Sequence, residues 1–471
     1  MTQKKARMSR RSFFRKSTAA TAAVSVGSLV TNADLENISA NVNTNSRPSN
    51  LKITDMRLAR IGSQYILRLD TNQGISGYGE LYGGASKTYA LMLKSRILGM
   101  NPCNVDQIYR KINQFAHHGR QGAGVSAIEI ACWDLAGKVW GVPVWQMLGG
   151  KFRNKVLIYC DTTTSKDPVV QGNRLKERME TGYKYLKMDF MITNLFGREP
   201  GVLTRPPGND DAVYNQYKDV PFNKLMHPFK GIRITEKGLM MVKEYVAAVR
   251  DIIGMEVPLA ADHFGHFIVE DCIKIANSLE EFNLAYLEDM LPWQLTDQYV
   301  RLKNSVRTPI LTGEDIHGKD GFMDLFEKQA ISMCHPDLGP CGGCYETKKV
   351  GDLAMEYGIG MNIHNGGLPP RMMASVHTAA ATENFTALEH HHVDDEWYDD
   401  LYANIPKPLV KDGYIDVPDG PGLGFVINED VAKSLSSKEE GWFDPTPEWD
   451  NERSHDRIWS LTPGRKKNFD V

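Results

Sequence analysis

The stretch LAADHFGHF, residues 259–267, places an aspartate directly after a short apolar run. Residues 257–261 predict a buried strand, so that Asp262 lies at the carboxyl end of that strand. A polar turn with two further ionisable side chains, His263 and His266, follows. Metal ligation, acid/base chemistry and ordinary loop polarity are all compatible with this stretch alone, so the rest of the chain has to decide among them.

The succession of a short apolar run and an amphipathic helix recurs from residue 155 onward. Runs that predict strands lie at 156–162, 183–190, 257–261, 284–289, 309–315, 330–339, 360–365 and 386–390. Stretches with helical periodicity separate them, as EKGLMMVKEYVAAVRDII does at residues 236–253. Eight such units over roughly 240 residues favour one parallel barrel over an open sheet.

A smaller α+β domain precedes this barrel. Residues 51–82 alternate apolar and polar side chains around the turns NQG and SGYGE, which predicts an antiparallel meander. Residues 86–150 are helical by their periodicity. The predicted divisions are a first domain at 49–154, a barrel at 155–405 with a Gly- and Pro-rich insertion at 191–235, and a segment at 406–471 that returns to the first domain and ends in a surface tail. A loop as long as the insertion is usually functional or a small subdomain.

The N-terminus differs in kind from the rest of the chain. SRRSFFRK at residues 9–16 is followed by the small-residue apolar stretch TAATAAVSVGSLV. Paired arginines, two phenylalanines and a weak apolar segment in this order resemble a twin-arginine export signal, and a disordered basic tail is the alternative. We interpret residues 1–48 as signal and linker, and expect a periplasmic or exported protein.

Composition excludes several classes of protein. The chain has 471 residues and a net charge of −3, so it has no basic excess to bind nucleic acid. Beyond the N-terminus, nothing reaches the roughly 18 apolar residues of a membrane span. Seven scattered cysteines do not resemble a disulfide framework. The pair in PCGGC, Cys341 and Cys344, is interpreted as buried thiols rather than a zinc or redox site, because no second pair follows at zinc-site spacing.

Ionisable side chains collect at the predicted carboxyl ends of the barrel strands, where such barrels carry their catalytic residues. These are Lys187 and Asp189 on the second strand, then Asp262, Glu288, Glu314, Asp337, His364 and Glu389 on the six that follow. Any one of them could be an ordinary solvated strand-end residue. Together they indicate a site, because like charges at one rim repel each other unless a cation gathers them.

Three of these carboxylates are evenly spaced. Asp262, Glu288 and Glu314 follow one another at intervals of 26 residues, which predicts equivalent positions on adjacent strands. Three acidic oxygens suit Mg²⁺, which keeps water or substrate oxygens in its remaining positions. No cysteine or histidine occupies a matching position, so zinc is less suitable.

SAIEIACWDLAGKVWGVPVWQMLGG, residues 126–150, resembles the helix and linker between cap and barrel in the enolase superfamily, mandelate racemase/muconate lactonizing enzyme-like subgroup. GYGE at 77–80 and the segments YLEDM, LTGED, HPDLGPCGG and NIHNGG are similar to that subgroup as well. The resemblance covers residues 50 to 430 or so. It implies an α/β fold in which an N-terminal α+β capping domain covers a modified TIM barrel, (β/α)7β.

The resemblance also implies roles for the strand-end residues. One Mg²⁺ per active site would be held by Asp262, Glu288 and Glu314, and Asp337 would orient His364 and make it more basic. A proton next to a carboxylate is weakly acidic, and a divalent cation stabilises the enediolate that its removal creates. Histidine has a suitable pKa for the base, and Lys187 is placed to hold the substrate carboxylate. The expected catalytic residues are His364, Asp337, Lys187, Asp189 and Glu389.

One position departs from the best-known pattern. Many relatives end the second strand with Lys-x-Lys, whereas this chain has Lys187-Met188-Asp189. Asp189 replaces the second lysine base and cannot do its work unless burial raises its pKa, so a one-base dehydratase is favoured over a two-base racemase. Asp189, protonated His364 or a histidine of the turn, such as His266, could be the acid. In some relatives a histidine two residues beyond the metal-binding aspartate is the acid, but Phe264 stands there.

Two loops of the first domain are expected to contact substrate. ELYGGASKTY at 80–89 contains Tyr82, and HHGRQGAG at 117–124 contains His117 and Arg120, whose donors suit a polyol chain. Solvated surface loops are the alternative.

The favoured function is Mg²⁺-dependent dehydration of an acid sugar, an aldonate or a uronate-derived acid, by a homo-oligomer. An epimerase, racemase or cycloisomerase of a sugar acid or anhydro-sugar acid is the first alternative, and a non-catalytic periplasmic carbohydrate-binding protein is the second.

Overall fold

The structure is a computed structural model that describes residues 50–116, 123–190, 201–204, 233–262, 267–436 and 440–451. The predicted signal at 1–48 and most of the insertion at 191–235 lie outside these residues. Within the insertion, two short strands, β6 (Leu203–Thr204) and β7 (Arg233–Ile234), pair with each other in antiparallel fashion.

The first domain begins with a three-stranded antiparallel sheet, as its alternating sequence predicts. The strands are β1 (Ile53–Ile61), β2 (Gln64–Thr71) and β3 (Ser76–Glu80), in that spatial order. The helices that follow are α1 (Lys87–Leu91), α2 (Lys94–Ile97), α3 (Val105–Ile112), α4 (Ala123–Trp140) and α5 (Val144–Met147).

Close packing of β3 against α4 explains the two glycines of the GYGE turn. A Cβ on Gly79 would lie 1.9 Å from the backbone oxygen of Ala127, and one on Gly77 would lie 2.3 Å from that of Ala131. Only glycine allows the strand to approach the helix backbone this closely. The helix is therefore fixed on the sheet, and residues that follow β3 are directed toward the barrel.

The barrel consists of eight parallel strands, and it closes where the last strand pairs with the first, Leu388 opposite Ile158. The strands are β4 (Lys155–Cys160), β5 (Leu186–Asp189), β8 (Leu259–Asp262), β9 (Leu287–Glu288), β10 (Ile310–Thr312), β11 (Met333–Cys334), β12 (Gly360–Ile363) and β13 (Phe385–His390). Seven long helices connect them: α6 (Pro168–Glu180), α7 (Glu236–Ile253), α8 (Val269–Leu279), α9 (Thr296–Ser305), α10 (Gly318–Glu327), α12 (Cys344–Glu356) and α13 (Pro369–Ala381). Only two short 3-10 helices, and no α-helix, follow β13 before the C-terminal segment in the described residues, so the predicted (β/α)7β architecture is confirmed.

The predicted sixth strand, 330–339, is wrong at its carboxyl end. Strand β11 ends at Cys334, and a short helix, α11 (Leu338–Cys341), follows. The carboxylate of Asp337 accepts a hydrogen bond from the backbone N–H of Gly339 at 2.6 Å, which caps this helix. Asp337 is therefore a helix cap beyond the strand rather than its last residue.

The C-terminal segment contacts both parts of the fold. Strand β14 (Tyr414–Asp416) pairs in antiparallel fashion with β4 of the barrel, which extends the barrel sheet. Further along, Ser436 and Trp442 form isolated bridges with Ile61 and Ala59 of the first sheet. Helix α14 (Glu429–Ser434) lies between these two contacts in the sequence. The domain boundaries given above stay a prediction.

The seven cysteines all lie within the described residues, and each is a free thiol. Cys341 and Cys344 are both buried. Among the helices that the structure describes, none combines the length and the apolar character needed to cross a membrane.

Candidate active site

Strand periodicity builds the site in two layers inside the barrel. A lower layer of buried apolar and tyrosine side chains consists of Tyr159, Tyr185, Ala260, Tyr286, Leu311 and Ala387. Because side chains two positions apart share one face of a strand, the next inward position after Tyr185 is Lys187, and after Tyr286 it is Glu288. The barrel floor is thus apolar, and ionisable groups lie directly above it.

Lys187 occupies the centre of this upper layer. Its ammonium nitrogen lies 2.7 Å from Asp262, 3.0 Å from Glu288 and 2.8 Å from Glu389, and all four side chains are buried. Burial alone would lower the pKa of Lys187, but the three carboxylates outweigh it and hold that pKa well above its usual value. Lys187 is therefore a permanent cation between predicted metal ligands and the last barrel strand.

Glu389 connects Lys187 to several neighbours. Its carboxylate accepts a hydrogen bond from the Tyr159 hydroxyl at 3.0 Å and lies 3.2 Å from Nε2 of His391. Burial raises the pKa of Glu389, but Lys187 and His391 outweigh burial and hold it well below its ordinary value. Glu389 is thus an anion that organises the cations around it.

His335 is a site residue that the sequence analysis missed. Its Nδ1 lies 2.5 Å from Glu288 and its Nε2 lies 3.3 Å from Glu389, with the Tyr159 hydroxyl at 2.8 Å. Burial lowers the pKa of His335, but the two glutamates raise it to about 10. His335 comes directly after β11. Had the end of that strand been placed at Cys334 rather than near Asp337, the sequence would have identified His335 as the strand-end residue.

The two residues of the predicted dyad, His364 and Asp337, are in contact. Nδ1 of His364 lies 2.6 Å from Asp337, and the guanidinium of Arg371 lies 3.1 Å from the same carboxylate. Burial raises the pKa of Asp337, but Arg371, His364 and the Gly339 N–H together lower it. Arg371 also lies 3.5 Å from Glu80 at the end of β3, where burial raises the pKa of the Glu80 carboxyl to about 7. The dyad is therefore held from the first domain.

The three predicted metal-binding carboxylates lie on the adjacent strands β8, β9 and β10 or just beyond them. Lys187 bridges Asp262 and Glu288, while ligand atoms of Glu288 and Glu314 lie within 4.8 Å of each other and of His335. Burial, followed by the charges of Asp289, Glu288 and Asp262, holds the pKa of Glu314 well above its usual value. This crowding of hard oxygen donors fits a divalent cation such as Mg²⁺.

A cavity of about 360 Å³ opens above these groups, between the strand ends and the first sheet. Its lining consists of Gln64, Tyr82, Gly83, Asp161, Lys187, Asp189, Asp262, Glu314, His364, Gly366, Arg371 and His391. Six predicted residues, Tyr82 among them, are thus brought to one cavity, while Glu288, Asp337 and Glu389 lie buried behind its wall.

His117, Arg120 and His266 lie outside the described residues. Of the cavity residues, Gln64, Asp161, Arg371 and His391 were not predicted. Asp161 directly follows β4, and His391 stands two positions after Glu389, so strand periodicity could have identified both.

The fold and the site define an enzyme of the enolase superfamily. Residues 35–149 match the family described as "Mandelate racemase / muconate lactonizing enzyme, N-terminal domain", and residues 174–431 match "Enolase C-terminal domain-like". The chain belongs to the mandelate racemase/muconate lactonizing enzyme family, as its sequence motifs predicted.

Individual relatives agree with this assignment. D-xylonate dehydratase of Haloferax volcanii is 31% identical over 407 residues, which cover 83% of this chain and 91% of the relative. D-galactarolactone cycloisomerase of Agrobacterium fabrum is 24% identical, with coverage of 78% and 89%. The crystal structure of a mandelate racemase/muconate lactonizing enzyme-like protein from Rubrobacter xylanophilus has a TM-score of 0.72 and 27% identity, with coverage of 84% of this chain and 99% of that chain.

Proposed function

We propose that the protein dehydrates an acid sugar by removing the proton next to its carboxylate and expelling the β-hydroxyl as water, with Mg²⁺ as cofactor. One observation carries this proposal: His364, held by Asp337, opens onto the same cavity as the carboxylates of Asp262 and Glu314. A base and a group of metal-binding oxygens that face one cavity are what abstraction of an α-proton requires.

His364 is oriented to act as the base. Because Nδ1 of His364 is held by Asp337 at 2.6 Å, the proton of neutral imidazole resides there and Nε2 is free of it. Nε2 lies 3.3 Å from Glu314, on the side of the predicted metal ligands. A substrate carboxylate near Glu314 would therefore present its α-carbon to the basic nitrogen.

Asp262, Glu288 and Glu314 would hold the metal ion. A divalent cation bound there supplies positive charge that stabilises the dianion formed when the α-proton leaves. The ammonium of Lys187, which lines the same cavity, adds a fixed positive charge that attracts the carboxylate of the substrate. Lys187 would thus bind the acid end of the sugar, with its hydroxyl chain toward the first sheet.

Two observations favour dehydration over the other reactions of the family: the residue at position 189 and the activity of a similar protein. Asp189 stands where a second lysine base would serve a racemase, and Asp189 lines the cavity. The Haloferax volcanii relative, the more similar of the two named above, is a D-xylonate dehydratase. The Agrobacterium fabrum cycloisomerase keeps cycloisomerisation as the second candidate. A carbohydrate-binding protein without activity would not need the His364–Asp337 pair.

Tyr82 and the residues of the 117–124 loop are the proposed contacts for the sugar hydroxyls. Tyr82 lines the cavity, with the Arg371 guanidinium 5.1 Å from its ring centre. Burial raises the pKa of the Tyr82 hydroxyl, which keeps it a hydrogen-bond donor. His117 and Arg120 are proposed from their sequence positions alone, and the homo-oligomer stays a prediction.

Export is a separate part of the proposal and is supported by the N-terminal sequence alone. The arginine pair and phenylalanines of SRRSFFRK precede an apolar small-residue stretch. The substrate would then be an acid sugar met outside the inner membrane. Replacing Arg10 and Arg11 with lysine in the full chain is expected to abolish export in a cell-fractionation experiment, and unchanged export would contradict this part.

The function is tested by incubating the purified protein and Mg²⁺ with D-xylonate, D-gluconate, D-galactonate and related acid sugars. The expected product has lost one water, as measured by mass, and gives the reaction of a 2-keto acid. EDTA should abolish turnover and Mg²⁺ should restore it. A product with the mass of the substrate would instead identify an isomerase. No change in any acid sugar, at any Mg²⁺ concentration, would contradict the proposal.

A further inference from the structure

His391, directly after the last barrel strand β13, takes no part in the proposed removal of the α-proton. It lines the cavity, and its side chain is 33% exposed, unlike its buried partner Glu389. Its Nε2 lies 3.2 Å from Glu389. His391 therefore has one ring edge anchored to a buried anion while the rest of the ring can reach a molecule in the cavity.

The neighbouring strand places His391 beside the proposed base. The ring centres of His364 and His391 lie 5.1 Å apart at an interplanar angle of 83°. Ligand atoms of His364, Glu389 and His391 all lie within 4.8 Å of one another. Two imidazoles at this separation can reach groups on neighbouring carbons of one substrate, from the same side.

The chain around His391 leaves space for this arrangement. A Cβ on Gly366 would lie 3.1 Å from Nδ1 of His391, closer than side chains normally approach. A residue larger than glycine at 366 would therefore press on the ring edge opposite Glu389. Glycine at this position avoids that contact with Nδ1.

The charges around His391 favour its protonated form. Burial lowers the pKa of the imidazole and Lys187 opposes its charge, but Glu389 and Asp161 outweigh them and raise that pKa above its ordinary value. In the imidazolium, Nε2–H can donate to Glu389 while Nδ1–H remains to be given away. Asp189, the rival acid on the cavity wall, is an acceptor only when ionised.

We infer that His391 is the general acid that protonates the departing β-hydroxyl of the acid sugar. This inference rests on the proposed dehydration and assigns a residue that the function alone leaves open. His364 takes the α-proton and later returns it to solvent, and the electron pair of the broken C–H bond is first held in the enediolate of the substrate. From there the pair forms a double bond between the α- and β-carbons. The β-carbon–oxygen bond breaks and its electron pair leaves with the oxygen, which takes a proton from His391 and departs as water. The enol tautomerises to a 2-keto-3-deoxy acid, and solvent reprotonates His391.

This arrangement of the two histidines predicts the stereochemistry of the elimination. Because both imidazoles face the substrate from adjacent strands, the α-proton and the β-hydroxyl must leave from the same side. In an open-chain acid sugar, rotation about the bond between the α- and β-carbons can bring the two groups to one side, so the elimination is expected to be syn.

The test separates the two proton transfers in the full-length protein. His391→Asn is compared with His392→Asn, a neighbouring change outside the cavity, in D₂O with Mg²⁺ and D-xylonate, D-gluconate or D-galactonate. We expect His391→Asn to retain α-proton exchange, which also shows that it folds, and to lose dehydration by roughly 10²–10⁴-fold. The loss should shrink with a β-fluoro analogue, whose leaving group needs no proton. His392→Asn should retain both activities.

Two results would overturn the inference. Dehydration by His391→Asn at the wild-type rate would show that another group is the acid, and loss of exchange together with dehydration would show that His391 serves the first step. Failure of the proposed function looks different, because the wild-type protein itself would then neither exchange an α-proton nor release water.

Discussion

The ammonium nitrogen of Lys187 lies 2.7 Å from a carboxylate oxygen of Asp262, across the β5–β8 pair of the barrel. Both side chains are buried, and Glu288 and Glu389 approach the same nitrogen. Because three carboxylates share one buried ammonium, removing the ammonium leaves the carboxylates without a compensating charge, and removing the carboxylates leaves the ammonium without one. We therefore expect the stability of this protein to depend on the occupancy of its predicted metal site.

Lys187→Met tests that link. Without the ammonium, three buried carboxylates repel each other, and the free energy of unfolding should fall by about 3–5 kcal/mol in the absence of metal. Mg²⁺ should then raise the melting temperature of the variant more than that of the wild-type protein. Lys348→Met, which removes a surface pair with Asp352, should change stability by no more than about 0.5 kcal/mol. Equal effects of Mg²⁺ on wild type and Lys187→Met would contradict this account.

Asp337→Asn tests the orientation of the base. An amide in place of the carboxylate can no longer hold the proton on Nδ1 of His364, so Nε2 becomes protonated and loses its basicity. We expect kcat to fall by roughly 10²–10⁴-fold, with the fold retained by circular dichroism. Asp352→Asn on the outer helix α12 is the matched control and should leave kcat unchanged. A kcat for Asp337→Asn within twofold of the control would exclude the dyad.

Asp189 and Asp262 lie opposite each other on neighbouring strands, so they form a matched pair for separating substrate contact from metal binding. Asp189→Asn should impair turnover far more than Mg²⁺ affinity, because Asp189 lines the cavity beside the predicted ligands. Asp262→Asn should weaken Mg²⁺ binding, measured by calorimetry, by at least about tenfold. An unchanged rate in Asp189→Asn would make Asp189 a structural residue.

His377 gives a prediction about pH and stability. This buried histidine of α13 accepts a hydrogen bond from the backbone N–H of Trp145, and burial lowers its pKa from 6.5 to about 4. The unfolded chain therefore binds the proton more tightly, so this contribution is fully present above pH 6.5 and is lost as pH falls toward 4. The contribution to the free energy of unfolding is about 3 kcal/mol. In His377→Asn, the free energy of unfolding measured with urea should therefore change less between pH 6.5 and pH 4 than in the wild-type protein. A parallel pH profile in the variant would contradict the assignment.

Much of the barrel could be predicted because its helices and strands obey simple periodicities. Helix α7 has the bounds of its sequence pattern, Glu236–Ile253, since Thr235 caps its start and Gly254, at a φ of 78°, follows its end. The predicted strand at 330–339 was too long, because an apolar run cannot show where the capping interaction of Asp337 begins a helix. Strand ends could thus be located only to within a few residues.

The site could be predicted only where strand position determines it. Lys187 lies within β5, Asp262 is the last residue of β8 and Glu314 comes two residues after β10, and all three line the cavity. Arg371 lies within a helix whose sequence gives no sign of a site, and Glu80 belongs to a different sheet. The ion pairs that join Glu80, Arg371 and Asp337 depend on the placement of one domain on the other, which no local pattern records.

Deuterium incorporation at the α-carbon tests the central claim most directly. The wild-type protein with Mg²⁺ and an acid sugar in D₂O should exchange the α-proton or release a deuterated 2-keto-3-deoxy acid, as measured by NMR. His364→Asn should abolish this exchange while Mg²⁺ binding, measured by calorimetry, stays intact. Exchange that persists in His364→Asn would contradict the account, because His364 would then not be the base.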